Sequence, residues 1–499
     1  MKLRFASAIP ILLAITSAST CAPPVPLAAA RVSRWFLVLI LSAFAIPTAL
    51  RISSIIVRSM SYHQTISYNE GWNTYYSHDV AAGRRLYGAP PDRLATNYPP
   101  LSFHLEAALG RLVGDLNLAG RIISIAAFLW VALCCGLAVH LATRDSAAAM
   151  FAVLFCIAWF APFAPYNVGV NDPQMLGHAF MLTGLVLYLA ADRSAPLLAA
   201  SCVFFCIGGV TKHSLIAFPV AVTLDILLRS RRRFALWAAI AAATFALLTV
   251  LTLWLDGPYV LQHLLSPRRY LVSRAIFIST TFLRIYLPAL LVGAIWCFTA
   301  ARRSKARCLA FALPLSLFTG AVFAGGSGVA VNIFYDAWIV TAIIAALVLA
   351  GAAAKGAPGS LRWYAAMLVI PLLFSALPVA AGLYTSVPPS DVLARDDRVF
   401  AEDTAYLKSR PGPAICFDLL LCYQAGKTLS YEAFITGELI ATGHLDPTVV
   451  AAELANRKYA VIQSDQGITY FPPPILDALN AHYRIDRQSS RSVFYVPVQ

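Results

Sequence analysis

Charge is what this sequence has least of. Only 12% of its 499 residues are Asp, Glu, Lys or Arg, whereas soluble domains usually carry about 25%. Hydrophobic residues make up 59% of the chain, and the mean hydropathy is +0.70. This shortage excludes a protein that water solvates along its whole length. It predicts an all-α polytopic membrane protein with smaller extramembrane parts.

None of the cysteines has the spacing of a metal site, and the sequence has no internal repeat. Most of the ten cysteines lie in or beside apolar runs, where Cys is a small hydrophobe. Cys416 and Cys422 instead fall in the polar C-terminal region, where a disulfide could form if that region lies outside the membrane barrier. The lack of a repeat argues against transporter folds that are built from two similar halves.

Long apolar runs fill the chain between residues 34 and 385. A helix needs about 20 apolar residues to cross a bilayer, and the pattern predicts about eleven spans, several of them short. The predicted spans are 34–57, 117–142, 146–165, 174–191, 195–211, 213–228, 234–255, 276–300, 308–326, 333–352 and 361–385. Residues 1–33 are predicted to be a cytoplasmic or membrane-associated segment rather than a cleaved signal peptide.

Basic residues set the expected orientation, because short cytoplasmic loops are enriched in Lys and Arg. The net charge is +14, and the densest basic clusters, 229–233 and 302–307, fall on the same side when the spans alternate. The first loop, 58–116, and the tail, 386–499, then lie on the opposite, outer side. The tail regains charge and is predicted to be a small extracytoplasmic α/β domain, with strands at 459–463 and 492–497 and a helix at 447–456.

Polar segments that are far apart in the sequence collect on this outer side. They lie in the first loop, in the loop 166–173, around residues 212–213, in the loop 256–275 and around 332–336. Polar groups at the ends of membrane spans on one face indicate a shared site. The predicted substrate pocket contains Tyr68, Trp72, Tyr98, Asn171, Asn332 and Tyr335.

Three carboxylates of these segments are candidates for chemistry. Glu70 lies between aromatic residues and could act as a general base, although a solvated loop acid would look the same. Asp79 has the same two interpretations. Asp172 precedes Pro173 and an apolar run, which fits a helix cap as well as a second catalytic or metal-binding carboxylate.

Cations near the same segments could bind a lipid phosphate. Lys212 and His213 lie between apolar runs, where a lysine is costly unless it reaches an anion or water. Arg268 and Arg269 add guanidinium groups, which suit phosphate oxygens. Snorkelling and interfacial anchoring explain the same residues without a ligand.

The order of the first-loop motifs resembles the GT-C superfamily, the multi-pass glycosyltransferases related to protein O-mannosyltransferases and the aminoarabinose transferases of lipid A. The similar stretches are Asn69-Glu70-Gly71-Trp72, Ala81-Ala-Gly-Arg-Arg-Leu-Tyr87, Tyr98-Pro-Pro-Leu101, Asn171-Asp172 with Met175-Leu176, and Gly209-Val-Thr-Lys212. The family often has Asp-Glu where this chain has Asn69-Glu70.

The resemblance implies an inverting glycosyltransferase that uses a polyprenyl-phosphate-linked sugar and an outer-side acceptor, which could be a glycan, a lipid or a protein. A first-loop carboxylate, Glu70 here, would take the acceptor proton. Some relatives use a divalent cation such as Mg²⁺ or Mn²⁺, which Asp79 or Asp172 could bind, although no ligand cluster demands one. The expected location is a bacterial inner membrane with the site on the periplasmic side; no nucleic-acid partner is expected.

Two alternatives stay open on the sequence. The first is a transporter or flippase of lipid-linked glycans, although the polar groups lie at the outer ends of spans rather than at mid-membrane. The second is a non-catalytic relative that only binds a lipid-linked sugar, an idea that Asn69 keeps open. An O-antigen polymerase or ligase fits less well, because the largest external loop of this chain comes first.

Overall fold

Helices form most of the chain. The structure is a computed structural model that describes residues 45, 48–50, 52–89, 93–160, 167–192, 194–299, 301–354, 390–465 and 472–498. The predicted segment 1–33, the predicted span 361–385 and most of the predicted span 34–57 lie outside these residues. The predicted domain boundary at residue 386 does too.

The helices of residues 69–354 mostly follow the predicted apolar runs, although three of them lie in predicted loops. They are α1 Asn69–Ala81, α2 Leu101–Val113, α3 Leu116–Thr143, α4 Ser146–Phe160, α5 Gln174–Ala191, α6 Ala195–Gly209, α7 Ala217–Arg229, α8 Arg231–Leu255, α9 Val260–Leu264, α10 Val272–Thr299, α11 Leu309–Phe323 and α12 Tyr335–Ala354. Residues 52–61 are also helical.

The helices differ in whether they could cross a membrane. Within the described residues, four are long and apolar enough: α3, α5, α8 and the stretch Val331–Gly351; the bent α10 would make a fifth. Shorter apolar helices lie at Ser146–Ala158, Ala195–Gly209 and Leu309–Phe323. The prediction of a polytopic helical protein is thus confirmed, whereas the count of about eleven spans is not reproduced by these helices.

The helical bundle has a central helix and a peripheral one. In α12, 89% of the apolar window is buried, whereas in α8 only 6% is buried and Trp237 is the buried residue of that helix. A helix that is apolar all round and unburied by protein is suited to face lipid.

Basic residues of the two densest clusters meet at one end of the bundle. Asp225, at the end of α7, pairs with Arg229 at 3.1 Å and also with Arg307. The other end of α7 follows the turn that carries Lys212 and His213. Thirteen helical residues separate these ends, which corresponds to about 20 Å.

The C-terminal part is a small α/β domain. Its elements are α13 Ser390–Lys408, β1 Ala414–Cys416, α14 Leu419–Gln424, α15 Ala433–Ala441, α16 Pro447–Ala455, β2 Val461–Ser464, α17 Pro473–His482, β3 Tyr483–Gln488 and β4 Val493–Pro497. The sheet has the order β1-β2-β4-β3, with β1 and β2 parallel and the other pairs antiparallel. Both predicted strands and the predicted helix are present within one or two residues.

The domain packs directly on the first loop. One side of the sheet packs with α13 and α14 in an apolar cluster that also contains Tyr75 of α1. Gly71 of α1 lies so close to α14 that a Cβ atom there would stand 2.4 Å from the backbone N of Leu420. A disulfide joins Cys416 at the end of β1 to Cys422 in α14. The helix that meets the first loop is therefore tied covalently to the sheet.

Candidate functional site

A cavity of about 700 Å³ lies where the first loop, the bundle and the C-terminal domain meet. Its wall comes from segments that are far apart in the sequence. The polar and aromatic lining residues include Tyr68, Asn69, Trp72, Asn97, Tyr98, Asn167, Gln174, Lys212, His213, Arg268, Tyr270, Asn332 and Glu432. An apolar part of the wall consists of Leu264, Val322, Phe323, Ile333 and Phe434.

Three basic side chains face this cavity. Lys212 and His213 lie in the turn between α6 and α7, and Arg268 lies in the loop before α10. Lys212 Nζ is 3.7 Å from the centroid of the Tyr98 ring and 3.9 Å from Asp172 Oδ1. The Arg268 guanidinium is 5.2 Å from the centroid of the Phe434 ring. Among the described residues it has no hydrogen-bond partner, and its Nε is buried.

The charges of these groups follow from their surroundings. Burial lowers the pKa of His213 to about 4, and Lys212 and Arg268 reinforce the effect, so this imidazole is neutral at pH 7. Burial opposes the charge of Lys212, but Asp172 and Tyr98 outweigh it and raise the pKa of the ammonium group. Burial lowers the pKa of the Arg268 guanidinium from its ordinary value. The cavity therefore holds cationic charge that the neighbouring carboxylates do not fully pair.

Trp72, Tyr98 and Asn69 form one side of the cavity. The rings of Trp72 and Tyr98 are 4.7 Å apart at a tilt of 40°. Asn69 accepts a hydrogen bond from Trp72 Nε1 at 3.3 Å and donates one from Nδ2 to Asp172 Oδ2 at 2.7 Å. Aromatic surfaces beside amide groups suit a sugar ring, which has apolar faces and a rim of hydroxyls.

Glu70 does not line the cavity. Its side chain has no exposed surface. It forms a bidentate ion pair with Arg121, with Nε–Oε1 at 2.7 Å and Nη2–Oε2 at 2.9 Å. It also accepts hydrogen bonds from the backbone N–H groups of Ile66 and Asn171. Its role as the base stays a prediction that this geometry does not favour, because both carboxylate oxygens pair with a guanidinium and the side chain does not line the cavity.

The other two predicted carboxylates are also engaged. Asp79 pairs with Arg84, which is 54% exposed, and neither residue lines the cavity. Asp172 lies behind Asn69 and is 4% exposed. Its oxygens accept from Asn69 Nδ2 and from the backbone N–H of Gln174 at 2.8 Å. The bond to Gln174 joins Asp172 to the first residue of α5, although Pro173 rather than Asp172 stands at the N-cap position. Asp172 also contacts Asn69 and Lys212.

The remaining predicted residues divide between the cavity wall and its support. Tyr68, Trp72, Tyr98 and Asn332 line the cavity, whereas Asn171 and Tyr335 are buried behind it. Arg269 turns away from the cavity, and its guanidinium is 2.8 Å from Glu438 Oε1 of α15. The proposed phosphate contact of Arg269 is not favoured by this pairing.

The residues that the C-terminal domain contributes to the cavity were not predicted from the sequence. Glu432, Phe434 and Ile435, at the start of α15, line the cavity. Glu438 accepts from the backbone N–H of Arg269 and from the Ser327 hydroxyl, both at 2.8 Å. It thereby holds together two segments of the cavity rim that also pair through Tyr270 and Gly326. No local pattern marks these residues, because only the folded domain brings them to the rim.

A divalent cation does not fit the predicted carboxylates. Within the described residues, no three His, Cys, Asp or Glu side chains converge on one point. Asp172 faces an ammonium group and Asp79 faces a guanidinium, and either neighbour would repel a cation. No chemical step is therefore assigned to a metal ion here.

The fold is shared with solved membrane glycosyltransferases of the GT-C class. ArnT from Cupriavidus metallidurans superposes with a TM-score of 0.59 in the apo state, at 13% identity over 92% of this chain and 98% of ArnT. Its structure bound to undecaprenyl phosphate gives 0.57 at 12% identity, over 91% and 97% of the two chains. The oligosaccharyltransferase AglB from Archaeoglobus fulgidus, in complex with an inhibitory peptide and a dolichol-phosphate, gives 0.51 at 12% identity, over 93% and 74%.

Comparisons by sequence found no match. No protein-family model matches the chain, and no curated protein matches it either. Identities of 12% and 13% establish a shared fold. The structural similarity therefore agrees with the fold that the first-loop resemblance implies.

Proposed function

We propose that this protein is a membrane glycosyltransferase that moves a hexose or pentose from a polyprenyl-phosphate donor to an acceptor hydroxyl. The acceptor oxygen attacks the anomeric carbon, the bond from that carbon to the phosphate oxygen breaks, and a single displacement inverts the configuration. The site would lie on the outer, periplasmic side of a bacterial inner membrane. The acceptor belongs to a glycan, a lipid or a protein.

The observation that carries the proposal is the lack of a hydrogen-bond partner for Arg268 among the described residues. Its guanidinium faces a cavity beside Lys212 and has no hydrogen-bond partner among the described residues. A partly buried guanidinium without a hydrogen-bond partner is costly, and a phosphate group supplies the oxygens that it lacks. Cations placed there also stabilise the charge that the leaving phosphate gains during transfer.

The shape of the cavity fits the rest of such a donor. Val322 and Phe323, at the end of α11, belong to the apolar part of the cavity wall and are 45% and 38% exposed. A polyprenyl chain could lie along this apolar surface while its phosphate reaches Arg268. The structures of ArnT with undecaprenyl phosphate and of AglB with a dolichol-phosphate support a donor of this kind.

The test measures donor binding and turnover together. Purified protein in detergent is incubated with a panel of polyprenyl-phosphate sugars and a membrane glycolipid extract, and released polyprenyl phosphate is followed by mass spectrometry. Loss of a charge-assisted hydrogen bond costs about 1.5–3 kcal/mol. We therefore expect Arg268→Gln to weaken undecaprenyl phosphate binding about 10- to 100-fold. Lys212→Met should have a similar effect.

The matched control is Arg84→Gln, which removes a guanidinium that lies outside the cavity. It should leave binding and release unchanged. Equal losses in all three variants would contradict the proposed phosphate site. Flux of a lipid-linked glycan across proteoliposomes, without any release of polyprenyl phosphate, would favour the transporter instead.

A further inference from the structure

Glu432 is the only carboxylate among the described residues that line the cavity. The other polar lining groups are cations, amides, hydroxyls and aromatic rings. Asn69, the first-loop side chain beside Tyr68, is an amide and cannot hold an additional proton at neutral pH. Among the described residues, the cavity wall therefore offers a substrate hydroxyl one carboxylate, and that carboxylate belongs to the C-terminal domain.

The position of Glu432 is fixed from both sides. Its carboxylate caps the N-terminus of α15, accepting from the backbone N–H of Phe434 at 3.2 Å and from that of Ile435. The Tyr68 hydroxyl donates to its Oε1. Glu432 is 3% exposed, whereas Tyr68 is 40% exposed. The pair thus spans the boundary between the domain and the first loop.

Helix capping alone explains only part of this arrangement. The short acids usual at this position cap two other helices of the same domain, Asp418 at α14 and Asp446 at α16. In α15 the longer Glu432 stands there instead, and its carboxylate reaches Tyr68 in the cavity wall. The additional length therefore coincides with a contact to the candidate site.

The electrostatic surroundings agree with a proton acceptor. Burial raises the pKa of Glu432, while Tyr68, the two backbone N–H groups and Arg268 limit the rise. A carboxylate that is more basic than usual is suited to general-base catalysis.

We infer that Glu432 is the general base of the transfer reaction, an inference that rests on the proposed glycosyltransferase function. The acceptor O–H bond breaks, its proton moves to a Glu432 oxygen, and the acceptor oxygen bonds to the anomeric carbon. The sugar–phosphate bond breaks at the same time, and its electron pair leaves with the polyprenyl phosphate beside Arg268 and Lys212. Tyr68 is a positioning residue that orients the carboxylate.

The decisive comparison separates turnover from donor binding. General-base catalysis contributes about 10²- to 10⁴-fold, so Glu432→Gln should lower kcat by that factor. Its Kd for undecaprenyl phosphate should stay within about threefold of wild type, because Arg268 and Lys212 are unchanged. Glu432→Asp should recover part of the turnover. Asp446→Asn, which also replaces a helix-capping carboxylate by an amide, should change neither quantity.

A pH profile excludes a purely structural role. The Tyr68 hydrogen bond lowers the pKa of Glu432, so Tyr68→Phe should raise it and move the acidic limb of kcat/KM to higher pH. Wild-type turnover and an unchanged profile in Glu432→Gln would overturn the base and leave the transferase standing. Parallel losses of turnover, donor binding and thermal stability in Glu432→Gln would also overturn the base, because they would indicate a structural role. Failure of the wild-type protein to bind undecaprenyl phosphate would overturn both proposals.

Discussion

At the scale of single residues, the hydrogen-bond and ion-pair partners of a carboxylate decide whether it can take a proton from a substrate. The Glu70 carboxylate accepts hydrogen bonds from Nε and Nη2 of Arg121 and has no exposed surface. Arg121 itself donates to the backbone carbonyls of Tyr62 and Gln64. The pair therefore ties α1 and α3 to the chain segment that precedes α1. Glu432, by contrast, keeps a face toward the cavity.

Glu70→Gln tests the structural interpretation of this pair. The variant leaves the Arg121 guanidinium buried without a counter-ion, which costs about 3–5 kcal/mol. We expect the midpoint of thermal unfolding in detergent to fall by at least about 5 °C. The double variant Glu70→Leu with Arg121→Met, which removes both charges, should recover most of the loss. An unchanged midpoint together with lost turnover would instead identify Glu70 as the base that the sequence predicted.

Glu106 gives stability a pH dependence that can be isolated. It is buried in α2 beside the Ser77 hydroxyl, at 2.6 Å, and burial raises its pKa from 4.5 to about 8. Between these values the folded protein holds the proton more tightly than the unfolded chain. The contribution of Glu106 is thus full below pH 4.5 and is lost as the pH rises to about 8.

Thermal unfolding between pH 5 and pH 9 measures this contribution. The unfolding midpoint of the wild-type protein should fall toward pH 8 more steeply than that of Glu106→Gln, whose amide does not titrate in this range. Other groups titrate in both proteins alike, so the difference between the two curves reports Glu106. Parallel curves would show that Glu106 is ionised at all of these pH values.

At the scale of helices and strands, the sequence predicted what depends on local apolar patterns. The predicted span 174–191 coincides with α5, and the predicted strand at 492–497 differs from β4 by one residue. The predicted span 213–228 was wrong in length, because residues 213–216 form a turn and α7 has 13 residues. Hydropathy averages over such polar turns and extends a span through them.

The approach of α14 to α1 could not be predicted, because it depends on a pairing across more than 300 positions of sequence. Gly71→Ala tests it. The added Cβ would stand 2.4 Å from Leu420 N and 2.6 Å from Leu419 Cβ, so the backbones must separate. Overpacking of this kind costs about 1–3 kcal/mol. We expect a lower unfolding midpoint and lower turnover, since the separation also moves the neighbouring Tyr68.

Gly437→Ala is the control for the Gly71 variant. Gly437 also lies within a helix, and a Cβ there meets no heavy atom of the described residues within 4 Å. Alanine favours the helix by about 1 kcal/mol, so this variant should be neutral or slightly more stable. A Gly71→Ala protein as stable and active as wild type would contradict the close packing of α1 on α14.

At the scale of the whole molecule, the candidate site exists only while the C-terminal domain is docked. The cations come from the bundle, the aromatic wall from the first loop, and Glu432 from the domain. Docking is held by polar contacts such as Thr65 with Asp418, at 2.6 Å, and by a bidentate pair between Arg93 and Glu453. Because these contacts lie outside the cavity wall, they can be changed without altering a lining residue.

Reversing one charge of the Arg93–Glu453 pair tests whether this pair docks the C-terminal domain. Its two hydrogen bonds measure 2.9 and 2.8 Å. Burial opposes ionisation of Glu453, but Arg93, Lys458 and Tyr459 outweigh it and lower its pKa to about 2. The pair is therefore ionised at every pH at which activity would be measured. Arg93→Glu replaces this attraction by a repulsion between two carboxylates.

We expect Arg93→Glu to lower turnover about tenfold or more, since loss of such a pair at an interface costs about 2–5 kcal/mol. Binding of undecaprenyl phosphate should change little, because Lys212 and Arg268 stay in the bundle. Adding Glu453→Arg restores the attraction and should recover part of the turnover. Recovery stays incomplete because Lys458, 2.7 Å from Glu453, then faces a like charge. If the swap were no better than the single change, the pair would not dock the domain, and the loss would lie in Arg93 itself.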